Sequence, residues 1–413
     1  MQVAVFHPGT QHSWQTAYAL QQLEKLEWYA TSIFYKPDNF PYNLEKVLPS
    51  AISVRLHKEF RRFQHAGLNP DLVKTVGLIE WFERLASRAG FRKFARKIDA
   101  FGNKRFVDQI ADEIRSEREF ALWGYNGSSL SSFELASSLG RKCILDRTNG
   151  DFSVYNKMML DVQEQYGNWF LPIEREVPQS TIESDWKEYR AADKILVGSE
   201  FAKRTIESSA ADESTHKKLQ VLNYCYDENL FRNMPVPQPV RRDKPVKFLF
   251  LGLVIPRKGI HHVLEAISRI PQSAAELTIV GDLKLPREAF APYADRVNYI
   301  PTVARADVPS IMAAHDVLLL PSYFEGAGIV LYEALAAGCG LIQSDRCALA
   351  VTDQTGILLD QLDTESVYAA MMAAIDDRDR LDGWRQSAQA EAANYTFDKY
   401  RDGIAAVLSG MGL

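Results

Sequence analysis

The chain predicts an α/β protein of two successive domains, and three observations carry that expectation. Short apolar runs alternate with longer amphipathic ones along the chain, the pattern of strands separated by crossover helices. Near the middle, a stretch with four prolines interrupts the alternation: Met234-Pro235-Val236-Pro237-Gln238-Pro239-Val240-Arg241-Arg242-Asp243-Lys244-Pro245. The length, 413 residues, is more than one ordinary compact core accommodates.

In the first half, residues 2–6, 31–34, 120–123, 142–145 and 194–197 read as strands, each a short apolar run. Residues 14–26, 108–115 and 182–192 read as the amphipathic helices between them. Residues 50–115 are long, helical and basic, an insertion between early strands. Proline fixes φ and donates no amide hydrogen, so 233–245 is a linker. A new strand set follows at 246–251, 277–280, 297–300, 316–320, 341–343 and 356–359, with helices expected at 261–270, 308–314, 329–337 and 365–376. The expected division is 1–232, linker 233–245, 246–394, and a C-terminal helix over 395–413 that returns to the first domain. Two open α/β sheets on a hinge collect a ligand at the carboxyl ends of their strands, so the cleft between them is the expected site.

Composition narrows the class. Apolar residues make up 46% and charged residues 24%, with a net charge of −5, the balance of a soluble globular protein and an argument against a nucleic-acid binder. Over residues 51–105, however, 13 Lys and Arg face 5 Asp and Glu. Arg55, Lys58, Arg61 and Arg62 are interleaved with Phe60 and Phe63, and Arg88, Arg92, Lys93, Arg96 and Lys97 with Phe91 and Phe94. Two readings stay open: a peripheral helix on an anionic membrane surface, or a core helix with a solvated basic face. Cys143, Cys225, Cys339 and Cys347 form no C-x-x-C pair, so neither a disulfide framework nor a zinc site is expected, and a reducing, cytoplasmic compartment is. The first nine residues read as a strand and a turn rather than a signal peptide. The longest apolar stretch elsewhere, 248–255, is far short of the roughly 20 residues of a spanning helix. The expected location is the cytoplasm, with peripheral attachment to the inner face of the cytoplasmic membrane as its variant.

The most informative stretch is Pro321-Ser322-Tyr323-Phe324-Glu325-Gly326-Ala327-Gly328-Ile329-Val330-Leu331-Tyr332-Glu333-Ala334-Leu335-Ala336-Ala337-Gly338. A buried strand runs into a loop and then into a helix opened by Gly326, Ala327 and Gly328. Small residues let a ligand approach the backbone, and the free amides of a helix start suit phosphate or sugar oxygens. Glu325 precedes the helix and Glu333 lies inside it, about 7–10 Å away along the axis. That separation suits two hydroxyl-bearing parts of one ligand better than a paired acid and base.

This stretch resembles the E-x7-E region of retaining GT-B glycosyltransferases of family 4. Phe248-Leu249-Phe250-Leu251-Gly252 with Lys258-Gly259 looks like that family's phosphate-binding strand and loop, and Leu277-Thr278-Ile279-Val280-Gly281-Asp282 like its next strand and turn. Val297 to Val303, Asp316 to Ser322, Ala192 to Phe201 and Tyr226 to Phe231 continue the resemblance in order. It implies GT-B architecture, two Rossmann-like domains facing each other across a cleft. It implies a retaining enzyme that moves a hexose-type sugar from a nucleotide-sugar to a glycolipid or surface-polysaccharide precursor, without a metal or other cofactor. Glu333 would hold the ribose hydroxyls and Glu325 the donor sugar. The backbone of Gly326, Ala327 and Gly328 would meet sugar and diphosphate, and Lys258 would stabilise the departing phosphate, where a fixed ammonium lowers the barrier. Gly9 and Val303 stand at family donor positions.

The chain departs from the family twice. Leu253 stands where an Arg usually follows the glycine, leaving Arg257 as the replacement cation. After residues 120–123 a usual histidine is missing, and Asn126 is the substitute expected near the acceptor, together with His12 of the first loop. Asp146-Arg147-Thr148-Asn149-Gly150 is a further candidate for the acceptor wall. These departures keep two alternatives open: a GT-B protein that binds a nucleotide-sugar without turning it over, and another GT-B enzyme such as a phosphorylase.

Overall fold

The structure, a computed structural model, describes residues 1–9, 12–60, 63, 65, 67–75, 106–172, 174 and 176–413. Arg61, Arg62, Arg88, Arg92, Lys93, Arg96, Lys97, Phe91 and Phe94 lie outside them. Arg55 and Lys58 belong to the helix Ser50–Phe60.

Thirteen strands form two wholly parallel sheets among the described residues. The first holds β1 (Gln2–Phe6), β2 (Leu26–Thr31), β3 (Val73–Thr75), β4 (Phe120–Tyr125), β5 (Cys143–Arg147), β6 (Lys194–Val197) and β7 (Leu219–Val221), in the order β3-β2-β1-β4-β5-β6-β7. The second holds β8 (Val246–Leu251), β9 (Ala275–Val280), β10 (Asn298–Ile300), β11 (Val317–Leu320), β12 (Gly340–Gln343) and β13 (Gly356–Leu358), in the order β10-β9-β8-β11-β12-β13. Parallel strands covered by helices on both faces must be apolar throughout. Val3, Ala4, Val5 and Phe6 of β1 and Val317, Leu318 and Leu319 of β11 are accordingly fully buried. Each order reverses beside its first strand, at β1/β4 and at β8/β11. Ligands of open α/β sheets enter at such reversals.

The structure corrects the reading of 31–34 as a strand. The helix Ser13–Gln22 ends earlier than residue 26, Glu24 takes a left-handed φ of 57°, and β2 begins at Leu26. Ile33 and Tyr35 are buried beyond the strand, in a satellite cluster with Tyr42, Phe60 and Phe63; apolarity there marks a packed loop. A helix absent from the expectation, Phe152–Tyr166, is capped by Asp151, whose side chain accepts from the Ser153 amide at 2.8 Å. Its Met159 and Val162, with Trp169 and Phe170, pack into the core of the second sheet.

The chain crosses back at its end. The helix Phe397–Met411 buries Tyr400, Ile404, Val407 and Leu408 in the first domain's core, beside Ala17 and Leu20. The Tyr400 hydroxyl shares Thr16 Oγ1 at 2.7 Å. The proline-rich segment is strapped to the helix Arg378–Ala392: Val240 N–H donates to Asp382 at 2.7 Å, Arg385 to the Gln238 carbonyl at 2.6 Å, and Gln389 to the Pro235 carbonyl at 3.0 Å. Among the described residues no helix is long and apolar enough to cross a membrane.

Candidate functional site

The loop after β11 and the turn after β8 are locked together before any ligand is considered. Gly259 has φ 67°, and a Cβ there would stand 2.0 Å from the Pro321 carbonyl oxygen, so only glycine lets the Pro256–Lys258 turn abut the loop. The Tyr323 amide donates to the Arg257 carbonyl at 2.8 Å. This places Lys258 Nζ 2.8 Å and Arg257 Nη1 3.0 Å from one oxygen of Glu325. Burial pushes the Glu325 carboxyl up, but Lys258 and Arg257 outweigh it and hold the group below its ordinary range, ionised.

Glu333 projects from the helix Val330–Ala336 and is nearly inaccessible to solvent. Both its oxygens are taken by Arg305: Nη1 donates to Oε2 at 3.0 Å, and Nη2 to Oε1. Between the two glutamates, the small-residue loop presses against the first domain. A Cβ on Gly326 would lie 1.8 Å from the Thr148 carbonyl oxygen, and Ser199 Oγ donates to the Gly326 carbonyl at 2.5 Å. The Phe324 ring meets Tyr155 and Phe201 edge-on, at 5.2 and 5.4 Å between centroids.

The facing wall is set by β1 and β5. Arg147, fully buried, pairs with Asp185 at 2.7 Å and donates to the carbonyls of Asn149 at 3.2 Å and Gly150 at 2.8 Å, so it fixes the loop after β5. Asn126 braces the same loop: its Oδ1 accepts from the Thr148 amide at 3.0 Å and from Thr148 Oγ1 at 2.9 Å. His12, just before the helix Ser13–Gln22, stacks on Tyr224 at 4.8 Å. Behind it the Tyr224 hydroxyl donates to Asp146 at 2.5 Å, and burial raises the Asp146 carboxyl to about 7.

Lys258, Glu325, Gly326, Ala327, Gly328, Glu333 and His12 thus line one cleft of about 670 Å³, at the carboxyl ends of both sheets. Arg257, Gly9, Val303 and Asn126 are not in its lining among the described residues. Arg257 acts on Glu325. Gly9 is tied to His7 Nδ1 by its amide at 3.0 Å. Val303 packs against the core of the second domain. Asn126 uses its Oδ1 to hold Thr148, a residue that does line the cleft. Leu253 is 40% exposed and carries no cation to the cleft.

The whole chain superposes on sucrose-phosphate synthase of Thermosynechococcus elongatus with a TM-score of 0.64 at 15% identity, covering 100% of this chain and 99% of that one. The fold is GT-B. Residues 236–391 match the family model of glycosyl transferases group 1. Over 172 residues the chain is 27% identical to D-inositol 3-phosphate glycosyltransferase of Rhodococcus jostii, a match that covers 38% of this chain and 38% of that protein. Over 173 residues it is 28% identical to lipopolysaccharide glucosyltransferase WaaG of Escherichia coli, covering 39% and 46%. The matched stretch thus spans less than half of either relative's length.

In this GT-B cleft, sequence reasoning passed over Arg305, Trp14, Gln15, Tyr224 and Asp227. Arg305 follows β10 in a short 3-10 turn with no motif around it. Asp227 lies inside the Tyr226–Phe231 stretch that already resembled the family, and Tyr224 two residues before it, so a signal for Asp227 was present and was read only as a landmark.

Proposed function

We propose that the chain is a glycosyltransferase that moves a hexose-type sugar from a nucleotide-sugar to a saccharide acceptor on a glycolipid or surface-polysaccharide precursor. In that reaction the bond from the anomeric carbon to the diphosphate breaks, its electron pair leaves with the nucleoside diphosphate, and an acceptor hydroxyl oxygen takes its place as the proton departs. The observation that carries the reading is the convergence, in one cleft, of Lys258 and Glu325 with the Gly326–Gly328 backbone and Glu333. Cation and backbone suit the diphosphate, and two ionisable carboxyl side chains suit the hydroxyls of sugar and ribose. The name of one matched relative, lipopolysaccharide glucosyltransferase, supports transfer onto a glycolipid acceptor. Retention of anomeric configuration and metal independence belong to the same proposal, by family resemblance. The basic charge of residues 51–105 supports contact with an anionic membrane surface.

The test is a thermal-shift screen of UDP-, GDP- and ADP-sugars, followed by product analysis by NMR with and without EDTA. One donor class should stabilise the protein, and the product should keep the donor's anomeric configuration with EDTA present. Lys258→Met should then lower kcat by on the order of 100-fold while changing nucleotide affinity little, because the charge it meets develops on the leaving phosphate. Equal losses in both would make Lys258 a binding group only. Binding without turnover by the unmodified protein would favour the alternative motivated by Leu253.

A further inference from the structure

The loop that carries Glu325 is fastened on both sides. Phe324 packs on Phe201 of the first domain, whereas the neighbouring Tyr323 is buried in the core of the second. The Tyr323 hydroxyl ends a chain of hydrogen bonds. It lies 2.6 Å from His262 Nε2, His262 Nδ1 lies 3.0 Å from Thr364 Oγ1, and Thr364 Oγ1 donates to Glu265 at 2.6 Å. Three elements meet there: the loop after β11, the helix Ile260–Ser268 that bears His262 and Glu265, and the first residue of the helix Thr364–Asp376.

The last bond fixes the direction of the others. A hydroxyl has a single hydrogen, and Thr364 gives its own to Glu265, so the Thr364 oxygen accepts from His262 Nδ1–H. Burial lowers the His262 imidazole to about 4, so the ring is neutral at pH 7 and its Nε2 is an acceptor. The Tyr323 hydroxyl therefore donates to Nε2 at 2.6 Å, well inside the 3.4 Å to the Leu362 carbonyl. Rings hold the pair in place. His261 lies parallel to Tyr323, with 3° between planes, and Tyr166 meets His262 edge-on at 5.1 Å.

Packing alone does not call for this bond. An apolar pair, Leu with Phe, would fill the same space with no polar group to satisfy. What the bond adds is direction. It fixes the rotation of the Tyr323 ring, and with it the backbone just before Glu325, where the Tyr323 amide also donates to the Arg257 carbonyl at 2.8 Å. We infer that His262 is a positioning residue, which acts through the Tyr323 hydroxyl to aim Glu325 at the donor sugar. This role rests on the proposed reading of Glu325 as the group that meets that sugar.

The experiment uses the full chain and the donor that the thermal-shift screen selects, with Tyr323→Phe, His262→Leu, His262→Gln, and His262→Leu combined with Tyr323→Phe. Turnover is read as release of nucleoside diphosphate. Melting temperature and the affinities for nucleotide-sugar and nucleoside diphosphate are measured on the same samples. Tyr323→Phe keeps the ring and should lower kcat by on the order of tenfold or more, with nucleoside diphosphate affinity unchanged and nucleotide-sugar affinity reduced. His262→Gln offers an amide oxygen to the phenol and should keep more activity than His262→Leu. The double variant strands neither partner, so it should melt no lower than His262→Leu yet stay as slow as Tyr323→Phe. An unchanged kcat in Tyr323→Phe overturns the inference, as does a double variant whose kcat recovers with its melting temperature. A nucleoside diphosphate affinity that falls as far as kcat overturns it too. Where the unmodified protein binds the donor without turnover, the two affinities decide in the same way. Failure to bind any nucleotide-sugar removes the underlying reading instead, and the inference with it.

Discussion

Each charged side chain that the second domain contributes to the cleft is neutralised by another. Glu325 is held by Lys258 and Arg257, and Glu333 by the two-pronged contact of Arg305. A ribose that uses Glu333 must share its oxygens with Arg305 or displace it, and Arg305, about half exposed, has room to move. Arg305→Met leaves a buried carboxylate unpaired, which costs roughly 1–3 kcal/mol. The empty variant should therefore melt lower, and nucleotide should restore more stability to it than to the unmodified protein. Equal ligand-induced shifts in differential scanning fluorimetry would show that Arg305 and nucleotide do not compete. Asp146 titrates differently. Its folded carboxyl, raised by burial to about 7, binds a proton that the unfolded chain has released. Its contribution is therefore fully present below pH 4 and is lost as pH rises from there through 7. Asp146→Asn should flatten the fall in melting temperature between pH 5 and 8, and an unchanged slope would place the pH response elsewhere. The sequence exposed Glu325, Glu333 and Lys258 because small residues and strand order frame them. It hid Arg305, and it offered Asp146 only within a candidate wall run without its buried role, because their partners lie 28 and 78 residues away in the chain.

At the scale of elements, two loops meet at van der Waals limits. The one after β5 is fixed by Arg147 and Asn126, and the one after β11 leans on it through Gly326. Arg147 is fully buried, and its removal strands Asp185 in the core. Breaking such a pair from one side costs roughly 3–5 kcal/mol, whereas replacing both partners with apolar groups is close to neutral. Arg147→Met should lower the first calorimetric transition by on the order of 10 °C, and Arg147→Met with Asp185→Leu should recover most of it. A double variant no better than the single one would deny that the pair is the cause. Strands buried on both faces were legible, since an unbroken apolar run between turn residues has few other uses; β1, β6 and β8 coincide with the predicted runs. Three-residue edge strands such as Val73–Thr75 were not, because so short a pairing depends on its neighbour β2 rather than on its own sequence. The helix Phe152–Tyr166 escaped for a related reason. Met159 and Val162 are its buried residues, and the core they enter belongs to the other domain.

The whole molecule is two parallel sheets whose reversals at β1/β4 and β8/β11 open on the same cleft. Their relative placement is secured by the strapped linker, by the crossing of Phe152–Tyr166 and Phe397–Met411 in opposite directions, and by the Ser199–Gly326 contact. The two-domain plan was readable from the prolines and from the repeated strand–helix alternation. The exchange of helices between domains was not, because an amphipathic helix records that it has a buried face without recording which sheet covers it. The arrangement carries one central proposal: Glu333, behind Arg305 at the rim of the second sheet, is the carboxylate proposed to meet a bound nucleotide's ribose. Titration calorimetry of the nucleoside diphosphate selected by the donor screen, against the unmodified protein and Glu333→Ala, measures this directly. Loss of a charged hydrogen-bond acceptor should weaken binding by on the order of 10- to 100-fold. An affinity unchanged in Glu333→Ala would contradict the account.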